Sequence, residues 1–197
     1  MIAYIKGELT QKSPAKAVIE AAGVGYELYI PLSTYDQLSR TGEIVKLHTV
    51  HIVREDGQWL YGFATEPEKE MFEKLVLVSG VGPKLAVSVL SGMTVADLSR
   101  CVSTGDAKRI SSIRGVGKKT AEKICIELKD KVDAFAAFAS NSTTAKGKEF
   151  MRDAAKALAA LGFSEESALK MVSDAIERDP SISDTETLVR KSLSGGK

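Results

Sequence analysis

The sequence predicts a multi-domain α+β protein: an N-terminal β-barrel, a central all-α domain, and a small C-terminal three-helix domain on a flexible linker. Three observations carry this reading. Runs within residues 1–63 alternate apolar and polar positions with a period of two. The nine residues from Val78 to Ala86 recur thirty-five positions later as Ile113 to Ala121, each copy set between apolar runs of helical spacing. The stretch from Ser140 through Asn141, Ser142 and Thr143 to Lys148 has almost nothing to bury.

Residues 1–63 supply five strand candidates. Val24, Tyr26, Leu28 and Ile30 fall on one face of a strand. Ile44–Arg54 is a second run, and Gln58–Phe63 a third with Trp59, Tyr61 and Phe63 on one face, read as barrel core. Ile2–Glu8 and Ala15–Ala21 complete the set, Gly23 and Gly25 punctuate it, and residues 33–38 read as a short helix. Five short strands with one short helix fit an oligonucleotide/oligosaccharide-binding (OB) barrel best. Asp56-Gly57 is a strong hairpin signal, so Glu55 and Asp56 are presented at the tip of the last hairpin. Acidic residues suit any exposed turn, and the pattern alone gives the pair no further role.

Residues 64–139 read as helices. Thr65-Glu66-Pro67-Glu68 is a capping box with proline in the first turn, followed by an apolar face of Met71, Phe72, Leu75, Val76 and Val78. Both copies of the repeat then read apolar, any residue, Gly, Val, Gly, any residue, Lys, any residue, Ala. A helix that reverses within two or three residues needs positive φ, which glycine supplies without steric cost. Gly80 and Gly115 are therefore expected to end one helix, Gly82 and Gly117 to start the next, and Val81 and Val116 to turn inward. Bare N–H groups at the start of the second helix, with the positive end of its dipole, make an anion site. Lys84, Lys118 and Lys119 fall in those first turns, where lysine opposes the dipole, so contact with phosphate explains them better than helix stability does. Lys123 is placed in the same set, and Pro83 suits a first turn because its missing N–H costs nothing there. Thr94 is the expected cap of the helix between the copies, residues 106–113 lead into the second, and Ala121, Ile124, Cys125 and Leu128 continue it. The pattern resembles the helix-hairpin-helix motif of DNA-binding proteins, whose backbone amides hold phosphates and carry little base information. Two glycine-capped hairpins with exposed lysines remain the plainer alternative, and the recurrence of lysine at one offset weighs against it.

Residues 140–148 are the expected linker, and 149–197 a small helical domain. Ala154, Ala157, Leu158 and Leu161 form one stripe, Ala168, Met171, Val172, Ala175 and Ile176 a second, and Leu188, Val189 and Leu193 a third. Gly162 and Ser164 separate the first two helices, and Ser183-Asp184-Thr185-Glu186 reads as the capping box of the third. A bundle this small has little core, which points to a partner-holding role.

The formal net charge is only +1, yet its distribution is uneven. Residues 79–131 hold ten basic and five acidic residues, net +5, whereas residues 1–78 hold eight and eleven, net −3. Residues 149–197 hold seven and nine, net −2, so the positive charge concentrates on the repeat. No catalytic residue, metal site or cofactor is expected. A Walker A match fails at Ser112 and Lys119, and Leu85 and Thr120 occupy the third glycine position of G-x-G-x-x-G. His48 and His51, the only histidines, sit three apart on a strand and face opposite sides. Cys101 and Cys125 fall in helical apolar patterns and read as buried free thiols. The absence of a long apolar run and the short, charged N-terminus lead to a cytoplasmic protein without membrane contact as the expectation.

Taken together, Val24-Gly25-Tyr26-Glu27, Val53-Arg54-Glu55-Asp56, Leu60-Tyr61-Gly62-Phe63, Leu90-Ser91-Gly92-Met93 and the two glycine-valine-glycine hairpins resemble the RuvA family, Holliday junction-binding subunits of the bacterial branch-migration complex. The resemblance covers the whole chain. It implies a homotetramer, alone or paired with a second, that holds a four-way junction open on a basic face. Gly80, Val81, Gly82, Pro83, Lys84, Gly115, Val116, Gly117, Lys118, Lys119 and Lys123 would then grip phosphates. Glu55 and Asp56 would act as an acidic pin at the crossover, repelling phosphates. The C-terminal domain, UBA-like, would reach the hexameric ATPase RuvB, with Leu158, Leu161, Met171 and Val172 as candidate contacts. A RuvC-type junction resolvase is a further implied partner. Two other readings stay in view at this stage: a helix-hairpin-helix glycosylase or nuclease, for which the sequence offers no catalytic set, and a scaffold whose barrel binds protein or single strands.

Overall fold

A computed structural model describes residues 1–140 and 145–194, with side chains outside 130–149 and 165–166. The chain divides into two compact units, Met1–Leu128 and Lys129–Lys197.

Five strands open the first unit: β1 (Tyr4–Ser13), β2 (Lys16–Ala21), β3 (Val24–Tyr29), β4 (Ile44–Arg54) and β5 (Gly57–Phe63), with helix α1 (Leu32–Gln37) between β3 and β4. They form a closed sheet in the order β1-β2-β3-β5-β4, in which β4 pairs back onto β1. Only β3 and β5 run parallel, with Leu28 opposite Leu60; the other pairs are antiparallel. The first strand runs five residues beyond the expected Glu8, because its register shifts between Leu9 and Gln11 and breaks the alternation.

Closure is tight enough to dictate residue size. A Cβ on Gly7 would lie 2.0 Å from the Glu20 carbonyl oxygen on the neighbouring strand. A Cβ on Gly62 would meet Leu28, Leu47 and Ile30 side chains at 3.0, 3.1 and 3.3 Å. Gly62 thus faces the interior, where Leu60 packs against Ile5, Leu9, Ile19, Leu28 and Leu47. This corrects the expectation for β5. Tyr61 and Phe63 point outward, onto Phe72 of α2 (Glu66–Val76), with ring centroids 5.0 and 4.9 Å apart. Both faces of β5 are buried, so alternation gives its period without saying which face is inside.

The sheet and the helices that follow are joined by one buried carboxylate. Thr65 caps α2 in the expected box, and Glu68 accepts hydrogen bonds from Ser33 Oγ at 2.5 Å, Thr34 Oγ1 at 3.2 Å and the Thr65 N–H at 3.3 Å. Ser33 and Thr34 belong to α1, so Glu68 ties α1 to α2. The helices α3 (Pro83–Gly92), α4 (Val95–Thr104), α5 (Ala107–Ser111) and α6 (Lys118–Ser140) complete the central region. Thr94 caps α4 as expected. Cys101 and Cys125 are buried free cysteines, and burial pushes both thiols up.

The second unit contains α7 (Ala145–Ala160), α8 (Glu165–Arg178) and α9 (Thr185–Ser194) around Met151, Ala154, Leu158, Ala168, Val172 and Leu188. Gly162, at φ 99°, lies between α7 and α8, and Ser164 caps α8. The cap of α9 is Asp184 rather than Ser183: its carboxylate accepts from the Thr187 N–H at 2.8 Å. The expected linker meets helix at both ends, since Ser140 is the last residue of α6 and α7 starts at Ala145; residues 141–144 lie outside the described residues. No single helix among the described residues is long and apolar enough to cross a membrane.

Two tests follow from this packing. Replacing Glu68 by Ala orphans three donors at once and should destabilise the protein by about 2–3 kcal/mol in urea unfolding; a change below about 0.5 kcal/mol would mean the carboxylate does not join the elements. In the second unit, Asp179 bonds Lys191 and Ser181, and the Lys191 ammonium leads in holding its carboxyl down at about 2, from an ordinary 3.8. A depressed carboxyl stabilises the fold above its unfolded value, and that contribution is lost as pH falls from about 4 towards 2. The Asp179 carboxyl carbon should therefore titrate near 2 by NMR and move up towards 3.8 in Lys191→Ala.

Candidate nucleic-acid interface

The repeat seen in the sequence is a repeat in space. In the first hairpin the Val81 N–H bonds the Val78 carbonyl at 2.9 Å; in the second the Val116 N–H bonds the Ile113 carbonyl at 3.0 Å. Gly80 and Gly115 sit at the third position of these turns with φ of 87° and 90°, the region a type II turn demands there. Val81 and Val116 turn inward and are 4% and 5% exposed. Ala86 and Ala121 are fully buried, as are Leu75 and Ile110 before the turns and Val89 and Ile124 after them.

The two hairpins also seat on one another reciprocally. Ser88 of α3 donates its hydroxyl to the Arg114 carbonyl, in the second turn, at 2.8 Å. Thirty-five residues on from Ser88, Lys123 of α6 reaches Ser79 Oγ, in the first turn, at 3.4 Å, and Glu127 accepts from the Ser79 N–H at 3.2 Å. Ser79 and Arg114 are themselves thirty-five apart. A contact from i to j matched by one from j to i is the signature of two-fold symmetry, here between halves of one chain.

The helix starts of the two hairpins lack the side-chain cap that most others carry; the short α1 lacks one too, but its Leu32 N–H is taken by Ser91 Oγ at 3.0 Å. Side chains of Thr65, Thr94, Asp106 and Ser164 cap α2, α4, α5 and α8. At α3 the cap position is Gly82, with no side-chain bond, and at α6 Gly117 precedes the first residue and has no side chain to offer. The first-turn N–H groups are left for an outside acceptor. Both glycines are exposed, and nothing lies within 4 Å of where their Cβ atoms would be. Lys84, Lys118, Lys119 and Lys123 are exposed around them, with Pro83 half-buried in the first turn of α3. Among the described residues Lys84, Lys118 and Lys119 make no ion pair, whereas Arg100 and Arg109 are held by Asp97. Free donors beside uncommitted positive charge are what a chain of phosphates requires.

Glu55 and Asp56 are exposed at the tip of the β4–β5 hairpin. The four residues Arg54-Glu55-Asp56-Gly57 join the strands as expected. Arg54 pairs with Gly57, so Glu55 and Asp56 themselves form the tip. Gly57 closes the turn at φ 154°, and a Cβ there would also stand 3.1 Å from the Trp59 ring.

Of the four candidate contacts in the C-terminal unit, Leu158 and Val172 are fully buried and have no surface to present, which removes them. Met171 is half-buried against that core, and Leu161 is 63% exposed, with Phe163 and Leu193 also exposed. A three-helix core needs one residue in each stripe, and the stripe rule cannot tell those from a neighbour facing out. Sequence reasoning missed Ser79, Ser88 and Glu127; extending the thirty-five-residue comparison past Ala121 would have paired Ser88 with Lys123. No group of three or more His, Cys, Asp or Glu that could hold a metal occurs among the described residues.

A closed β-sheet followed by two symmetry-related, uncapped helical hairpins defines a tandem helix-hairpin-helix protein. Comparison with known proteins agrees and goes further. Residues 1–62 match the RuvA N terminal domain, 72–130 the SAM-like helix-hairpin-helix tandem, and 150–195 the RuvA C-terminal domain. Proteins named Holliday junction branch migration complex subunit RuvA are similar over nearly their whole length. That of Methylibium petroleiphilum is 42% identical over 193 residues (98% of this chain, 99% of the relative), and that of Halorhodospira halophila 41% over 200 (98% and 96%). That of Pseudomonas savastanoi pv. phaseolicola is 40% identical over 203 residues (99% of each). The chain belongs to the RuvA family.

The turn geometry makes a specific prediction. Gly80→Ala and Gly115→Ala force a Cβ into positive φ and should each cost about 1–2 kcal/mol in urea unfolding. Gly82→Ala, at φ −83°, should cost clearly less. Equal costs at the three positions would contradict the turn assignment.

Proposed function

We propose that this chain binds four-way (Holliday) junction DNA by structure rather than sequence, as a homotetramer alone or paired with a second, and recruits the RuvB hexameric ATPase for branch migration in recombination and repair. The observation that carries it is the pair of uncapped helix starts related by two-fold symmetry. The two strands of a duplex are antiparallel and related by a two-fold axis of their own, so a symmetric pair of phosphate grips suits one duplex arm. The grip consists of the amides and lysines of residues 80–84 and 115–119, with Lys123. It reads no base, in keeping with a junction-binding name among relatives and with crossovers that migrate through any sequence.

In this reading residues 1–63 are an OB-type domain bearing the pin, 64–139 the DNA-binding domain, 140–148 a linker, and 149–197 a UBA-like domain that carries RuvB. The exposed Leu161, with Phe163 and Leu193 on the same unit, is the better contact candidate. A RuvC-type resolvase would act on the same opened junction. The chain itself is a non-catalytic subunit working in the cytoplasm, and the motor chemistry belongs to the ATPase. Glu55 and Asp56 act by repulsion: two carboxylates at an exposed tip disfavour continuous duplex and guide strands apart.

The test is a gel-shift competition at about physiological salt among a four-way junction, a linear duplex and a single strand of matched length. The junction should win whatever the sequence of its arms; equal binding of junction and duplex would overturn the proposal. Glu55→Gln combined with Asp56→Asn should narrow the preference for junction over duplex by about tenfold, by strengthening duplex binding. An unaltered preference would remove the pin from the account.

A further inference from the structure

One cleft in the first unit is not accounted for by phosphate gripping. Its volume is about 310 Å³, at the small end of ligand pockets, and it lies between the β4–β5 hairpin and the first helical hairpin. Trp59, Tyr61 and Ile52 supply apolar walls. Arg54 and Asp56 enter from the β4–β5 hairpin, and Gly82, Pro83 and Lys84 from the opposite side.

The walls are fixed. Trp59 lies against the turn backbone at Gly57, where a Cβ would stand 3.1 Å from its ring. Tyr61 is held between Phe72 and Tyr29, at centroid distances of 5.0 and 5.7 Å. Burial raises the Tyr61 hydroxyl, and the Arg54 charge is close enough to oppose that rise. Trp59 is only half-buried, so part of its indole remains open to the cleft.

We propose that this cleft receives a single unpaired nucleobase from the DNA held by the adjacent hairpin; the inference rests on the junction-binding reading. A base stacks on aromatic side chains whatever its identity, so such a pocket preserves sequence independence. The polar lining is mixed and suits a base, with donors and an acceptor on opposite walls. Arg54 and Lys84 can donate to ring nitrogens and carbonyls, and Asp56 can accept from an exocyclic amine. Position favours it as well: Gly82, Pro83 and Lys84 belong to the phosphate grip and Asp56 to the acidic tip. A strand gripped by the one and parted from its partner by the other has its freed base beside the cleft.

Trp59 is the only tryptophan in the chain, so its emission reports on the cleft directly. The full-length protein would be titrated with a four-way junction carrying one unpaired adenine at the crossover, and with the same junction carrying an abasic residue there. Anisotropy of a dye at a distant arm end would report binding separately. The adenine junction should bind about tenfold more tightly and quench Trp59 beyond the abasic one. Equal affinities with equal Trp59 emission, while both junctions bind, would overturn the cleft and leave junction binding standing. Failure of both to bind better than linear duplex would overturn the junction reading and the cleft with it.

Discussion

Each helical hairpin is held in place by the helix of the other. The Ser88 hydroxyl seats the second turn on α3, and Lys123 with Glu127 seats the first turn on α6. Neither turn can shift without disturbing the partner's helix, so two helix starts that lack side-chain caps are nonetheless rigid. That rigidity has a cost in local chemistry. The first-turn amides at Gly82 and Gly117 gain no internal acceptor, and the lysines beside them oppose the helix dipole. Side chains cap α2, α4, α5 and α8, and Ser91 takes the Leu32 N–H at the start of α1, whereas the ends at Gly82 and Gly117 leave their amides for something outside the chain.

A second constraint places the sheet relative to this clamp. Glu68 draws α1 onto α2 through hydroxyls, while Tyr61 and Phe63 stack on Phe72 from the outer face of β5. The polar contact gives direction and the aromatic contact buries area. Their joint result is that the Glu55-Asp56 hairpin and the first helical-hairpin turn stand on two sides of one cleft. The proposed pin, phosphate grip and base pocket are therefore neighbours because of how the sheet docks on α2.

Most of the fold was legible in the sequence. The repeat announced the hairpins through residues whose backbone requirement is nearly unique, with Gly80 and Gly115 at positive φ. Thr65, Thr94 and Ser164 announced helix starts through their own hydrogen bonds. The outward turn of Tyr61 and Phe63 was not legible, since β5 is buried on both sides and its inner face carries Leu60 and Gly62, the latter too small to register as core. The Glu55-Asp56 tip was legible through Gly57, whose positive φ of 154° closes the hairpin and whose missing Cβ leaves room for the Trp59 ring. In the C-terminal unit Leu158 and Leu161 belong to the same helical stripe, yet one is core and the other 63% exposed. Leu161 lies just past the end of α7 at Ala160, where the chain turns at Gly162, so it leaves the face on which Leu158 is buried. The cleft was also invisible, as its walls come from residues 52–61 and 82–84 and meet only in three dimensions.

The central claim is that the two hairpins are equivalent grips on phosphate. It is tested most directly by the salt dependence of duplex-arm binding in Lys84→Ala and Lys119→Ala, which are thirty-five residues apart and occupy the same place in the two repeats. Plotting log of the affinity against log of salt concentration, each variant should lower the slope by about 0.9, the loss of one phosphate contact, and the two should be alike. A slope unchanged in either variant would contradict the account.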